Sequence, residues 1–192
     1  MNNRLLAAAC VAAMALPGGV WAQGVTLKLA NPQPSTGSLS KGLAVSYAKV
    51  PGDTRELSQV RKAIAKAKPG EPLKGLSYDD TPATRPALTS DRKQLVGAAI
   101  SGYIKFDRAG AYTLDFLNND GLELFIGGEQ VADYDGVHAC GYAGEVEVNV
   151  PQVGYYEVEA VYFQRKGTSC LMMEWGPDSD GLEQVPDSAF FH

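Results

Sequence analysis

Residues 118–136 read NNDGLELFIGGEQVADYDG, and the reading of this stretch decides the fold. A short apolar strand, Leu122–Ile126, meets a Gly127-Gly128 turn of the kind that closes a tight hairpin. Asn119-Asp120-Gly121 on one side and Asp133-Tyr134-Asp135-Gly136 on the other bracket that hairpin with side-chain oxygen. Asn and Asp tolerate left-handed backbone and Gly supplies positive φ, so both brackets are sound turn chemistry. The same acids also suit a metal ion or a ligand, since two carboxylates on alternate residues beside a glycine form part of a calcium-loop pattern.

Working outward, the period stays near two residues. GYIKFDRAGAYTLDFL gives strands near Ala99–Phe106 and Ala111–Leu117, joined by the turn Asp107–Gly110. Glu145–Val150 alternates cleanly, and GYYEVEAVYFQ and SCLMMEWG form two more strands around a turn at Arg165–Thr168. Six strands with turn signals about 8–12 residues apart predict an all-β fold, an antiparallel sandwich or barrel. Upstream, Gly42–Val50 reads as a further strand. One helix follows, with Asp53 and Glu56 as a capping box, Leu57, Val60 and Ile64 at helical spacing, and Pro69-Gly70 as its stop. Arg55, Arg61, Lys62, Lys66 and Lys68 cover its remaining surface, as a solvated face or as a docking site for an acidic partner. Gly70 to Asp91 reads as a long Pro-rich loop with Asp79-Asp80 in its middle.

The N-terminal MNNRLLAAACVAAMALPGGVWA has one positive charge at Arg4, an apolar run from Leu5 to Leu16, and small or medium residues at Val20 and Ala22. These are the parts of a signal peptide cleaved before Gln23, too short and wrongly flanked for a membrane anchor. A secreted or periplasmic location follows, with no membrane span after residue 23. Cleavage leaves Cys140 and Cys170, and an even pair in an oxidising compartment predicts a disulfide. Closing that loop stabilises the fold by roughly 3.5 kcal/mol in the chain-entropy account. The net charge of −5 argues against nucleic acid or an anionic membrane as the main partner, and is neutral between sugars, cations and basic proteins.

From about Gly42 to the C-terminus, and most specifically over Gly102–Trp175, the chain resembles the PA14 domain, a β-barrel-like module of adhesins, glycosidases and toxins. GLAVSYA and the loop before Val96 resemble the domain's first strand and its variable insert, and SGYIKFDRAGAYTLDF looks like the family's strand, Gly-containing turn and Tyr-bearing strand. NNDGLELFIGGEQVADYDG resembles its signature loop and hairpin, with Asp120-Gly121 at the Asp-Gly of the motif. VNVPQVGYYEVEAVYFQRKGTSCLMMEW is similar to its Gly corner, Tyr-bearing strand and closing Trp strand. The implied organisation is a signal peptide over residues 1–22, an N-terminal strand and linker over 23–41, and a PA14-like domain over 42–192. In lectin-like members two adjacent acids in the signature loop bind calcium, which holds sugar hydroxyls. The resemblance therefore implies a possible Ca2+ site at Asn119 and Asp120, one carboxylate short of the acidic pair. Calcium takes about six to eight oxygens, so Asp133, Asp135 or a carbonyl would have to contribute.

The other residues narrow the chemistry. His138 and His192 are the only histidines and have no metalloprotease spacing, and there is neither a Gly-x-Ser-x-Gly elbow nor a phosphate loop. A glycosidase carboxylate pair meets only in three dimensions, but a small β-domain leaves little room for a deep active site. Asp178-Ser179-Asp180-Gly181 reads as a solvated turn. Tyr103, Tyr112, Phe116, Phe125, Tyr156, Tyr162 and Trp175 fall in strand patterns and read as core, whereas loop residues Tyr134 and Tyr142 can stack on a sugar ring. Two functions follow. The first is an exported, non-catalytic, lectin-like carbohydrate-binding module, calcium-assisted, with Asn119, Asp120, Asp133, Tyr134 and Asp135 on one rim. The second is a cell-envelope protein-interaction or structural module whose basic helix or sheet edge meets the partner.

Overall fold

A computed structural model describes residues 24–177 and 181–192. The predicted signal peptide and all but the last residue of the predicted Asp178–Gly181 turn lie outside the described residues. In chain order the elements are β1 (Val25–Thr26), β2 (Ala44–Lys49), α1 (Leu57–Ile64), β3 (Lys68–Pro69), β4 (Ser77–Thr81) and β5 (Val96–Phe106). Then come β6 (Gly110–Asn119), β7 (Gly121–Ile126), β8 (Glu129–Tyr134), β9 (Gly141–Tyr142) and β10 (Val146–Val150). The chain ends with β11 (Gly154–Gln164), β12 (Ser169–Gly176), β13 (Glu183–Gln184) and β14 (Phe190–Phe191).

These strands form two sheets packed face to face, a sandwich rather than a closed barrel. One runs β1-β10-β6-β12-β13, with β4 also on β12 and β9 on β6. The other runs β3-β2-β5-β11-β7-β8, with β14 on β5. Every pairing is antiparallel except β1 with β10. The inner faces meet in one large core in which Phe106, Phe116, Tyr156, Tyr162 and Phe190 are fully buried. Each such side chain withdrawn from water stabilises the fold by about 1.5–3 kcal/mol before entropy is counted. Tyr103 and Phe125 depart from the core expectation: both are only half-buried, because strand alternation turns them to the outer face of their sheet.

The helix differs from its sequence reading at both ends. It begins at Leu57, Glu56 stands at its N-cap without a side-chain cap bond, and Asp53 lies before it in a turn. The amide of Leu57 instead donates to Asp135 Oδ1 at 2.6 Å, from 78 residues away. Past Ala65 the chain does not run on helically to Pro69, because Lys68–Pro69 pairs with Ser46 and Tyr47 as β3. Leu57 and Val60 bury themselves with Val50 and Phe163 in a small second cluster that fastens α1 to the sheet. The Pro-rich stretch is not wholly irregular either. Ser77–Thr81, with Asp79 and Asp80, is a strand against β12.

Candidate functional site

The site grows from the place where the chain changes sheets. β6 ends at Asn119 in one sheet and β7 begins at Gly121 in the other, so Asp120 is the crossover residue. The Asn119–Asp120 peptide bond is cis. Gly121 is required sterically, because a Cβ there would overlap the Phe163 ring and stand 3.0 Å from the Tyr134 carbonyl. Tyr162, fully buried, donates its hydroxyl to the Asn119 carbonyl at 2.6 Å, and the Asp120 amide donates to the Phe163 carbonyl at 2.7 Å. The rigid β11 strand thus holds the backbone of both residues.

Three segments surround this crossover. On one side of β6 lies β12, with Cys170 opposite Asn119; on the other lies β9, with Gly141 opposite Asn118. The predicted disulfide is formed: Cys140 and Cys170 are joined, which ties the loop after β8 to the first turn of β12. The β11–β12 turn closes the third side, where the Arg165 amide donates to Asp120 Oδ2 at 2.6 Å and Asn119 Nδ2 bonds Thr168 Oγ1 at 3.2 Å. Asn118 Nδ2 donates to the Asp120 carbonyl and lies 3.1 Å from His138 Nε2. Since that amide nitrogen has only hydrogens to offer, Nε2 is the acceptor and the neutral ring carries its proton on Nδ1. The His138 ring stacks on Tyr134 with centroids 3.7 Å apart.

The electrostatics follow from burial. Removal from water pushes the Asp120 carboxyl above the usual carboxylate range, with the Arg165 amide and charge and His138 pulling it back only in part. Burial likewise lowers His138 below the ordinary imidazole value, against the carbonyl and charge of Asp120. The oxygens Asn118 Oδ1 and Asn119 Oδ1 are buried with no hydrogen-bond partner among the described residues. Buried acceptors are rarely left so, and each such vacancy asks for a donor or a cation. Oxygens of this kind suit a hard cation, and Asp120 is the one carboxylate at the crossover. No group of three or more His, Cys, Asp and Glu side chains gathers among the described residues.

Of the residues singled out in the sequence, Asn119, Asp120 and Tyr134 belong to this contiguous cluster. Asp133 is exposed on β8, opposite Glu123 of β7. Asp135 is engaged with the α1 terminus. The sequence reading missed Asn118 and Thr168, and it read Tyr162 as core, which it is, without its bond to the Asn119 carbonyl. Pairing β12 with β6 would have revealed Thr168, because once Cys170 faces Asn119 the residue two positions earlier reaches the same place.

A family model described as the PA14 domain matches residues 83–189, more than half of the chain. The chain belongs to the PA14 domain family. No curated protein matches the sequence. Among solved structures, the PA14 domain of the MpAFP antifreeze protein is similar at 16% identity and a TM-score of 0.66, covering 84% of this chain and 96% of that one. The PA14 sugar-binding domain of an RTX adhesin is similar at 19% identity and a TM-score of 0.58, covering 79% and 98%. The A domain of epithelial adhesin 9 of Candida glabrata, in complex with Galβ1-4GlcNAc, is similar at 15% identity and a TM-score of 0.66, covering 88% and 95%. At these identities the likeness establishes the PA14 fold. Among the described residues, no helix is long and apolar enough to cross a membrane.

Proposed function

We propose that this PA14 domain is an exported, non-catalytic carbohydrate-binding module whose contact centre is the Asn119–Asp120 crossover, assisted by calcium. The observation that carries the reading is the pair of buried amide oxygens, Asn118 Oδ1 and Asn119 Oδ1, left without donors on the two residues that precede Asp120 in the chain. They lie under three surface segments, at the kind of loop cluster where rigid sheets present binding residues. Two similar PA14 structures, from an RTX adhesin and an epithelial adhesin, are sugar-binding or sugar-bound, which supports the same class of ligand here.

Asn119 Oδ1 and Asp120 would hold the cation, which when bound supplies a positive centre that sugar hydroxyls can ligate. The chain's own residues do the rest. Tyr162 and the Arg165 amide fix the crossover, and the His138–Tyr134 stack forms one wall. A single carboxylate predicts a weak, readily chelated site.

The test is a glycan array probed with the purified protein in calcium and again in chelator, alongside Asp120→Ala and Asn119→Asp. Binding should disappear with chelator and with Asp120→Ala, and Asn119→Asp should tighten calcium binding by adding a second carboxylate. Silence from folded protein in both conditions would reject the lectin reading in favour of a protein-interaction module.

A further inference from the structure

A second surface, sharing no lining residue with the crossover, has the opposite character. Between α1 and the β2–β3 edge runs an open trough of about 750 Å³, lined by Lys49, Lys62, Lys66 and Lys68 against a single acid, Asp53. It continues past Tyr47, Ala48, Lys49 and Lys68 into a second hollow of about 460 Å³, lined also by Arg92. That hollow carries Glu71 and Asp91 as its acids. In a chain of net charge −5 this concentration of cations is a local inversion. The four lysines are exposed, and none of the five cations forms a salt bridge among the described residues. Arg92 Nε is buried with no acceptor. A guanidinium best matches the paired oxygens of a carboxylate or sulfate, and half-buried Arg92 brings one to the second hollow.

The chemistry of the walls selects among polyanions. A peptide adding a strand would need the free edge of β3, but Lys68 and Pro69 occupy that edge, and Pro69 has no N–H to offer. A folded protein partner would need a desolvated apolar anchor, and the apolar lining is limited to Ala48, Ala63, Pro51 and the Tyr47 ring. Tyr47 stands at the junction of the two hollows with its hydroxyl held 2.8 Å from Thr89 Oγ1, an amphipathic ring fixed in place. An extended trough with repeated cations and one fixed ring matches a chain of rings carrying repeated anions and no apolar side chains.

We propose that the trough between α1 and the β2–β3 edge is a second carbohydrate site, which binds an acidic polysaccharide through its carboxylate or sulfate groups. It goes beyond the crossover reading and stands or falls independently of it. The lysines supply screened, salt-sensitive attraction along the chain, and Arg92 supplies the directional contact.

The experiment is affinity electrophoresis of the purified protein through gels containing polygalacturonate, heparin or neutral dextran. Poly-L-glutamate and single-stranded DNA serve as competitors. Polygalacturonate or heparin should retard the protein at low salt, and dextran should not; retardation by polygalacturonate shows that carboxylate suffices, and retardation by heparin alone shows that sulfate is required. The exposed double variant K62E/K66E should lose at least about 10-fold in affinity, the scale expected for two near-surface cations, while Asp120→Ala should keep wild-type affinity, each read as retardation relative to that variant's own mobility in a plain gel. Absence of retardation by either acidic polysaccharide overturns the proposal, as does retardation that survives the double variant. Competition by poly-L-glutamate or DNA at equal strength also overturns it, because the trough would then not distinguish a sugar chain from other polyanions.

Discussion

The hydroxyl of Tyr162 reaches the carbonyl of Asn119 at 2.6 Å, from a side chain that is wholly buried. One core tyrosine therefore fixes the backbone at the point where the chain leaves one sheet for the other. Burial also holds its phenol well above its ordinary value, which keeps the hydroxyl protonated and a donor at neutral pH. Tyr162→Phe keeps the ring but strands the carbonyl. It should cost about 1–3 kcal/mol in urea unfolding, the penalty of an unsatisfied buried acceptor. Near-wild-type stability would show that water replaces the hydroxyl.

Gly121 is the second fixed point. A methyl group there meets the ring of fully buried Phe163 and stands 3.0 Å from the Tyr134 carbonyl. Gly121→Ala should destabilise by about 1–3 kcal/mol, as overpacking does. In a Phe163→Leu background the added penalty should shrink, because the overlapping ring is gone. Equal penalties in both backgrounds would place the strain on the backbone instead.

Asp135 has a structural duty that can be separated from ligand contact. Its Oδ1 accepts the Leu57 amide and so caps α1. Asp135→Ala should lower stability by about 1 kcal/mol, as loss of a cap does. Asp135→Asn should recover most of that, since its oxygen can still accept. A sugar-binding loss that persists in Asp135→Asn would make this residue a ligand contact as well.

That cap also explains what could be read from the sequence. Strand alternation, the Gly127-Gly128 turn, the Cys140–Cys170 pair and the signature hairpin are local patterns, and the structure bears them out. The helix start was misread because Asp53 and Glu56 imitate a capping box, while the actual partner of Leu57 arrives from 78 residues away. β3 and β4 were missed for a related reason. Lys68–Pro69 and Ser77–Thr81 have no apolar alternation of their own and become strands only because β2 and β12 present free edges. Within the site, the Asp120-Gly121 pair was legible as a motif. The orphaned amide oxygens were not, since whether a donor lies nearby is decided by three segments folding together.

The last prediction concerns pH, where the two titrating groups of the crossover act with opposite signs. His138 is held below its ordinary value of 6.5, so from that value downward the unfolded chain binds the proton first and stability falls as the pH drops. The loss levels off once the folded imidazole is protonated too. Protonation also gives Nε2 a hydrogen facing the N–H of Asn118, so the 3.1 Å contact must break. Asp120 is held above its ordinary value of 3.8, so there the folded state binds the proton first. Stability therefore rises as the pH falls through its raised value toward 3.8. Urea midpoints measured from pH 8 to pH 4 should first decline and then flatten or recover. His138→Gln should remove the decline just below pH 6.5, and Asp120→Asn should remove the recovery at the acid end. A decline that persists unchanged in His138→Gln would assign the acid sensitivity to other groups and leave the neutral imidazole at Asn118 without a role in stability.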